Sequence, residues 1–256
     1  MNKRHFALTI AGFDPSGGAG LLADIKTFEA NQVYGLGVCT ALTVQHENRF
    51  DSVQWVESEL IIKQAKILFE KYSIQYVKIG LVKSLDDLSK IITALLTWNP
   101  DVSIIWDPIL KASAGFNFHD EISAITLKAI LKQIYVLTPN LPEANLLIND
   151  SINTEQKAQI LAENCAVFLK GGHGDLDESK DLLFYRNQRV EYHAKRIIHG
   201  EKHGSGCVLS SAITANLAKG FPLEKACEEA KKYITAFLGS NDSLLGYHHF
   251  NSKIVS

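Results

Sequence analysis

Short apolar runs alternate with amphipathic stretches along most of the chain, and this alternation limits the possible folds more than any other feature. Residues 6–12, 76–80 and 102–107 are apolar runs with β-branched side chains, as in buried strands. Helices are predicted over residues 21–30, 58–69, 84–96 and 223–238, with Ser58 and Ser84 as N-caps of the second and third. Strands that alternate with helices favour a mostly parallel sheet with helices on both faces. We therefore predict an α/β fold.

The length of the chain allows one large α/β domain or two small ones. It has 256 residues, and no segment rich in Pro, Gly or Ser divides them. Internal repeats and low-complexity segments are also missing from the sequence. We therefore predict a single domain over residues 1–256.

Charge and cysteine content argue against several classes of protein. The formal net charge is −2, and the basic and acidic residues are interspersed without a Lys/Arg run, so we expect no nucleic-acid partner. The four cysteines, at positions 39, 165, 207 and 227, lack the spacing of a zinc site. No signal peptide and no apolar run of membrane-spanning length occur in the sequence. We expect a reduced, cytoplasmic protein without a membrane partner.

A glycine loop, Gly204-Ser205-Gly206-Cys207, leads into a predicted helix over residues 207–219. The first N–H groups of a helix lack partners within it, and the helix dipole adds positive charge there, so this loop could stabilise a transferring phosphoryl group. A helix N-terminus lowers the pKa of a thiol, which predicts Cys207 as a proton acceptor near neutral pH. The alternative is an ordinary helix entry in which Cys207 packs as a small hydrophobe. The loop alone leaves both open.

A second glycine loop, residues 14–20, follows the first predicted strand. Its spacing matches neither GxGxxG nor GxxxxGK[ST], which argues against a Rossmann dinucleotide site and a P-loop. Gln45 follows a predicted strand over residues 38–44, and its amide offers a donor and an acceptor to the edge of a heterocycle. A solvated loop glutamine is the alternative.

Polar side chains also end three later strands. Asp107 ends the strand over residues 102–107, where it could bind a cation or cap the next loop. Asn140 and Glu143 lie within one turn of each other, either as a hydrated Mg²⁺ site or as an ordinary helix cap. Lys170 ends another strand and is placed to serve a nucleotide phosphate. Because all these residues lie at strand or helix ends on one edge of a parallel sheet, one crevice could hold them.

The polar loop at residues 174–180 is predicted to be a mobile lid, and residues 181–186 with 190–193 are predicted to form a hairpin.

Six segments in order resemble the hydroxymethylpyrimidine/phosphomethylpyrimidine kinases of thiamine synthesis, in the ribokinase superfamily. They are residues 11–20, 78–80, 107–108, 138–144, 169–173 and 203–207. The resemblance implies a three-layer α/β/α ribokinase-like fold with a mostly parallel central sheet, and a homodimer. It also implies transfer of the ATP γ-phosphate to 4-amino-5-hydroxymethyl-2-methylpyrimidine and then to its monophosphate.

The same resemblance implies roles for individual residues. The amides of Gly204, Ser205, Gly206 and Cys207 would form an anion hole, with Cys207 in place of the Asp base of sugar-kinase relatives. Gln45 would bind the pyrimidine, and the substrate pocket would be lined by Gly12, Ala19, Thr43, Leu81 and Ile109. Mg²⁺ and its water shell would be served by Asn140, Glu143 and Asp107, and the nucleotide by Lys170, Gly172 and Asn140. Dependence on a monovalent cation stays open.

Two other functions compete with this one. Pyridoxal kinases of the same branch phosphorylate a hydroxymethyl group on a different ring, and Gln45 with Phe13 would decide between the substrates. A regulatory domain that binds the pyrimidine without transfer is the third hypothesis. The intact loop at residues 204–207 argues against it, because binding alone needs no base.

Overall fold

A computed structural model describes residues 4–110, 123–171, 178–198 and 200–249. Its strands are β1 (His5–Phe13), β2 (Val33–His46), β3 (Arg49–Trp55), β4 (Tyr76–Ile79), β5 (Ser103–Trp106), β6 (Val136–Leu137), β7 (Ala166–Leu169), β8 (Glu178–Tyr185) and β9 (Gln188–Lys195). Its helices are α1 (Gly20–Ala30), α2 (Ser58–Lys71), α3 (Leu85–Trp98), α4 (Ala124–Leu131), α5 (Leu141–Leu147), α6 (Thr154–Leu161), α7 (Ser205–Ala218) and α8 (Leu223–Leu238).

The described strands form one sheet in the order β3-β2-β1-β4-β5-β6-β7-β8-β9. Neighbouring strands are parallel from β2 through to β7. At the two edges, β3 is antiparallel to β2, and β8 and β9 extend the sheet antiparallel beyond β7. The prediction of an α/β fold with a mostly parallel sheet is confirmed.

Helices cover both faces of the sheet, because successive residues of a strand point to opposite sides. Ile104 of β5 packs in a core with α2, α3, α4, α5 and α6. Its neighbour Ile105 packs in a second core with α1, α7 and α8. The molecule therefore has three layers, α/β/α, and the carboxyl ends of the parallel strands share one edge.

The start of β2 differs from the prediction. β2 begins at Val33 rather than at residue 38, and two glycines in this added stretch pack against α1. A Cβ on Gly35 would lie 2.8 Å from Ile25 Cδ1, and one on Gly37 would lie 3.1 Å from Leu21 Cδ1. Glycine thus serves close packing here rather than ending the strand.

Local signals placed other elements well. The helix predicted over residues 223–238 is α8. Ser84 caps α3, as predicted, and its Oγ accepts a hydrogen bond from Asp87 N at 3.1 Å. In α2, Ser58 is the first helical residue and Glu57 is the N-cap, so the predicted Ser58 cap is wrong.

The predicted hairpin is present as β8 and β9. Its two-residue turn, Arg186 and Asn187, has φ angles of 51° and 61°, which suits the right-handed twist of the strands. The predicted lid at residues 174–180 partly fails, because residues 178–180 belong to β8. The rest of that segment, residues 174–177, lies outside the described residues. In the described part of the chain, no helix is both long and apolar enough to cross a bilayer.

Candidate active site

A cavity of about 490 Å³ opens at the carboxyl ends of the parallel strands. The residues predicted to bind substrate all line it: Gly12, Ala19, Thr43, Gln45, Leu81 and Ile109. It is also lined by the residues predicted to serve phosphate and metal, Asp107, Asn140, Glu143, Lys170 and residues 204–207. The predicted nucleotide residue Gly172 lies outside the described residues. The prediction that one crevice gathers these side chains is therefore supported for every described member.

Two loops meet at the floor of this cavity, the substrate loop (residues 14–20) and the anion loop (residues 203–207). Gly204 is the N-cap of α7 with φ of +73°, a conformation that favours glycine. A Cβ on Gly204 would lie 2.1 Å from Gly18 O and 2.6 Å from Ala19 Cα. The backbones of the two loops therefore touch, and a larger residue at 204 would force them apart.

Of the four amides predicted to bind an anion, only that of Ser205 is engaged among the described residues. Ser205 N donates to Lys202 O at 3.3 Å, and Val208 N donates to Gly204 O at 3.0 Å. Between these, the N–H groups of Gly206 and Cys207 have no acceptor among the described residues. These two N–H groups, at the start of α7, are the donors best placed for an anion.

A buried hydrogen bond joins the two loops. His203 Nε2 lies 2.9 Å from Asp14 Oδ2, and Asp14 is only 1% exposed. The same carboxylate accepts hydrogen bonds from Ser16 N, Ser16 Oγ and Ala19 N, each at 2.9 Å. Burial alone would raise the pKa of Asp14, but the hydrogen bonds from His203, Ser16 and Ala19 hold it below its ordinary value.

The thiol of Cys207 differs from the prediction. Cys207 is buried, and burial raises the pKa of its thiol to about 12. The ammonium of Lys78 and the N–H of Gly20 lower this pKa, whereas Asp107 and Asp24 raise it. Burial, rather than the helix N-terminus, therefore decides the pKa of the Cys207 thiol. The prediction of a lowered pKa is wrong. Its side chain nevertheless lines the cavity.

An unpredicted ion pair lies behind the anion loop. Lys78 Nζ of β4 is 2.6 Å from Asp24 Oδ1 of α1, and both side chains are fully buried. Asp24 also accepts hydrogen bonds from Thr9 Oγ1 at 2.6 Å and from Ser211 Oγ at 2.7 Å. Ser211 lies one turn of α7 beyond Cys207. The charge of Lys78 thus lies close beneath the start of α7.

Lys170 joins the two carboxylates that were predicted to serve a metal. Its Nζ lies 2.7 Å from Asp107 Oδ1 and 3.7 Å from Glu143 Oε2. Although burial opposes it, the charges of Lys170 and Lys78 lower the pKa of Asp107. Burial raises the pKa of Glu143 to about 7. The positive charge of Lys170 lowers this pKa, and the negative charge of Asp107 raises it. The carboxylates and the ammonium hold one another in place.

Asn140 and Glu143 form the helix cap that the sequence left as an alternative to a metal site. Asn140 Oδ1 accepts from Glu143 N, and Glu143 Oε2 accepts from Asn140 N, both at 2.8 Å. This capping box opens α5 and also aims the Glu143 carboxylate at Lys170. The described residues contain no group of three or more His, Cys, Asp or Glu side chains that could enclose a metal.

This donor set fits Mg²⁺ held largely through water. Mg²⁺ keeps several of its waters and takes few protein oxygens, which is what two carboxylates beside an amide can offer. Asp107 and Glu143 would be the residues nearest to such an ion.

The predicted pyrimidine ligand Gln45 is the second-last residue of β2, opposite Phe50 of β3. Its amide makes no hydrogen bond within the described part of the chain, so donor and acceptor are both open to a ligand. Thr43, by contrast, donates its hydroxyl to Phe13 O at 2.9 Å and offers mainly its methyl group.

Sequence reasoning missed further residues that line the cavity: Gly20, Phe50, Pro142, Leu146, Lys202 and His203. Lys202 and His203 directly precede the glycine motif, and this adjacency was a usable signal. No local sequence signal marked Phe50, Pro142 or Leu146 as cavity residues. Phe50 reaches the cavity through the pairing of β3 with β2, and the other two through the direction of α5.

Comparison with known proteins gives consistent results. A family model described as phosphomethylpyrimidine kinase matches residues 14–251. The hydroxymethylpyrimidine/phosphomethylpyrimidine kinase of Escherichia coli (strain K12) is 35% identical over 264 aligned residues, covering 98% of this chain and 99% of that protein.

Solved structures of similar proteins cover nearly the whole chain. The crystal structure of phosphomethylpyrimidine kinase from Clostridium difficile 630 matches with a TM-score of 0.76 and 33% identity, over 91% of this chain and 98% of that one. Pyridoxal kinase from Staphylococcus aureus in complex with AMP-PCP and pyridoxal matches with a TM-score of 0.83 and 25% identity, over 99% and 96%. The prediction of a ribokinase-like fold is thereby confirmed.

Proposed function

The chain belongs to the phosphomethylpyrimidine kinase family, and from this membership we propose its reaction. It transfers the γ-phosphoryl group of ATP to the hydroxymethyl group of 4-amino-5-hydroxymethyl-2-methylpyrimidine, and then to the resulting monophosphate, in thiamine biosynthesis. One observation supports this most strongly: the same cavity has two differently suited sides. One side is an apolar wall that carries the free side-chain amide of Gln45, and the other side carries the anion loop and Lys170.

The wall near Gln45 suits a small flat ring. Gly12 and Ala19 add little bulk, and Leu81 and Ile109 offer apolar contact. A Cβ on Gly12 would lie 3.0 Å from Leu81 Cδ2, so even alanine would crowd this wall. The Gln45 amide supplies a donor and an acceptor for the ring nitrogen and exocyclic amine of an aminopyrimidine.

The opposite side of the cavity suits phosphate. The free N–H groups of Gly206 and Cys207 and the ammonium of Lys170 are fixed donors for phosphoryl oxygens. A Cβ on Gly206 would lie 3.2 Å from Lys170 Nζ, so the lysine and the start of α7 are adjacent. Mg²⁺, when bound near Asp107 and Glu143, supplies neutralisation of phosphate charge.

The chemical step needs mainly positioning and charge neutralisation, because the transition state of phosphoryl transfer is loose. A bond forms between the substrate hydroxyl oxygen and the γ-phosphorus, and the bond from that phosphorus to the oxygen of ADP breaks. The hydroxyl proton passes to Cys207 as its thiolate. With a thiol pKa of about 12, Cys207 must first release its own proton to solvent, which Lys78 and Gly20 favour. After the transfer, the thiol releases the substrate's proton to solvent in the same way.

The test compares kcat/KM for the aminopyrimidine and for pyridoxal, with MgATP as the donor. Pyridoxal is the second candidate substrate, because the chain superposes on a pyridoxal kinase over nearly its whole length. We expect a preference for the aminopyrimidine. A clear preference for pyridoxal would overturn the substrate, and binding of the pyrimidine without turnover would favour a regulatory domain.

Further expectations accompany this function. The family resemblance supports a homodimer, the unpaired spacing of the cysteines supports the cytoplasm, and the lack of a linker supports a single domain over residues 1–256. Light scattering of the purified protein tests the homodimer, and a single cooperative unfolding transition tests the single domain. A potassium titration of the initial rate tests for dependence on a monovalent cation.

A further inference from the structure

We propose that His203, held by Asp14, is a positioning residue that fixes the anion loop against the substrate loop and so aims the amides of Gly206 and Cys207. This inference rests on the proposed function, because it assigns a task within that reaction. His203 itself contributes no proton to the reaction.

The Asp14 carboxylate can only accept hydrogen bonds. Three groups of the substrate loop donate to it, and its pKa lies below the ordinary value, so it is ionised. The Nε2 atom of His203 therefore carries a hydrogen and donates it to Asp14. This bond crosses 189 positions of sequence and joins the two loops directly.

This bond is the one polar restraint on the ring within the described residues, because His203 Nδ1 is buried and has no hydrogen-bond partner there. The ring lies close against Gly18, since a Cβ on Gly18 would lie 2.7 Å from His203 Cδ2 and equally far from Leu245 Cδ2. Without Asp14, the packing alone would set the position of the ring.

The backbone links His203 to the phosphate donors. His203 directly precedes Gly204, whose φ of +73° and contact with Gly18 leave little freedom in the backbone. Gly206 and Cys207 follow within the first turn of α7. Because this link is stiff, a shift of His203 would be transmitted to the N–H groups of Gly206 and Cys207 and would turn them away from a bound phosphate. Misplacement by about 1 Å can cost on the order of a hundredfold in rate.

The experiment compares two substitutions in the full chain. His203→Gln places an amide nitrogen near the position of Nε2 and keeps a donor for Asp14, whereas His203→Leu removes it. We expect His203→Leu to lower kcat by about ten- to a hundredfold with KM for the aminopyrimidine changed less than about threefold, and His203→Gln to keep about a third or more of kcat. His193→Leu, on the exposed face of β9, is the matched control and keeps full activity.

A second measurement does not depend on turnover. Amide hydrogen exchange of residues 203–208 should be faster in His203→Leu than in the wild type and near wild type in His203→Gln. The pH dependence of kcat should be the same in the wild type and in His203→Gln, because the ring takes no part in proton transfer.

Several outcomes would overturn the proposal. Full kcat in His203→Leu would show that the loop needs no such restraint. Equal loss of kcat in both variants, or a pH limb missing from His203→Gln, would place the ring in the chemistry itself. If His203→Leu does not fold, Asp14→Asn must show the same loss of kcat and faster exchange. If the wild type phosphorylates neither substrate but exchange still differs between the variants, the proposed function fails and the positioning role stands.

Discussion

Lys78 and Asp24 form an ion pair of 2.6 Å in which neither side chain reaches solvent. Removing one charge leaves the other buried and unpaired, which is far more costly than the pair is favourable. We predict that Lys78→Met lowers the free energy of unfolding by about 3–5 kcal/mol, measured by urea denaturation. The double variant Lys78→Met/Asp24→Asn should recover at least half of the loss. A loss below about 1 kcal/mol in Lys78→Met would contradict the pairing.

Cys207 is the side chain that we expect to accept the substrate proton. Cys207→Ala should lower kcat by about a hundredfold, as loss of a general base does, with little change in KM. Initial rates with the aminopyrimidine and MgATP measure this effect. Cys165→Ala is the control, because Cys165 precedes β7 at the edge of the sheet opposite the cavity. Full activity of Cys207→Ala would remove the residue from the mechanism without excluding kinase activity.

The ionisation of Cys207 can be followed in the free protein. Burial raises the pKa of the thiol to about 12, so the protonated form dominates at neutral pH. At pH 8 the thiolate fraction is then on the order of one in ten thousand, and it rises about tenfold with each pH unit. We predict that the alkylation rate of Cys207 by iodoacetamide keeps climbing from pH 7 to pH 9, as measured by mass spectrometry. A plateau near pH 8 would show a thiol with a much lower pKa.

Glu143 is expected to serve Mg²⁺ through its carboxylate. Glu143→Gln keeps the shape of the capping box but removes the negative charge that the carboxylate carries above its pKa of about 7, so the rates are compared at pH 8. The Mg²⁺ concentration that gives half-maximal rate should rise about tenfold or more, measured at saturating ATP. Glu155→Gln on α6 offers a matched change at an acid that does not line the cavity and should leave this concentration unaltered. If the Mg²⁺ dependence of Glu143→Gln is unchanged, Glu143 serves only in the capping box of α5 and not in binding Mg²⁺.

Much of this architecture follows from local sequence signals. The alternation of strands and helices predicts the α/β/α layers correctly. The capping residue Ser84 correctly predicts where α3 begins. The rule that ligands bind beyond the carboxyl ends of parallel strands correctly predicts that Gln45, Asp107 and Lys170 line one cavity. Such signals suffice because backbone topology, rather than side-chain detail, decides which strand ends are neighbours.

What escaped prediction depends on packing between distant segments. The pKa of Cys207 is set by burial and by carboxylates from other elements, which outweigh the helix end visible in the sequence. Lys78 and Asp24 are 54 positions apart in the sequence, so no local spacing pattern predicts that they pair. α6 was missed although Asn153 and Gln156 form a capping box at its start, a signal that was present and not used.

The bond between Asp14 and His203 has a consequence for biosynthesis of the protein. One wall of the cavity is made early during translation and the other only after some two hundred residues have been added. A ribosome-bound chain that stops before α7 contains the sequences of all the described strands but lacks the amides of Gly206 and Cys207. Proteolytic fragments that lack α7 should therefore be inert toward ATP and substrate, and catalytic competence should arise only when the last helices dock.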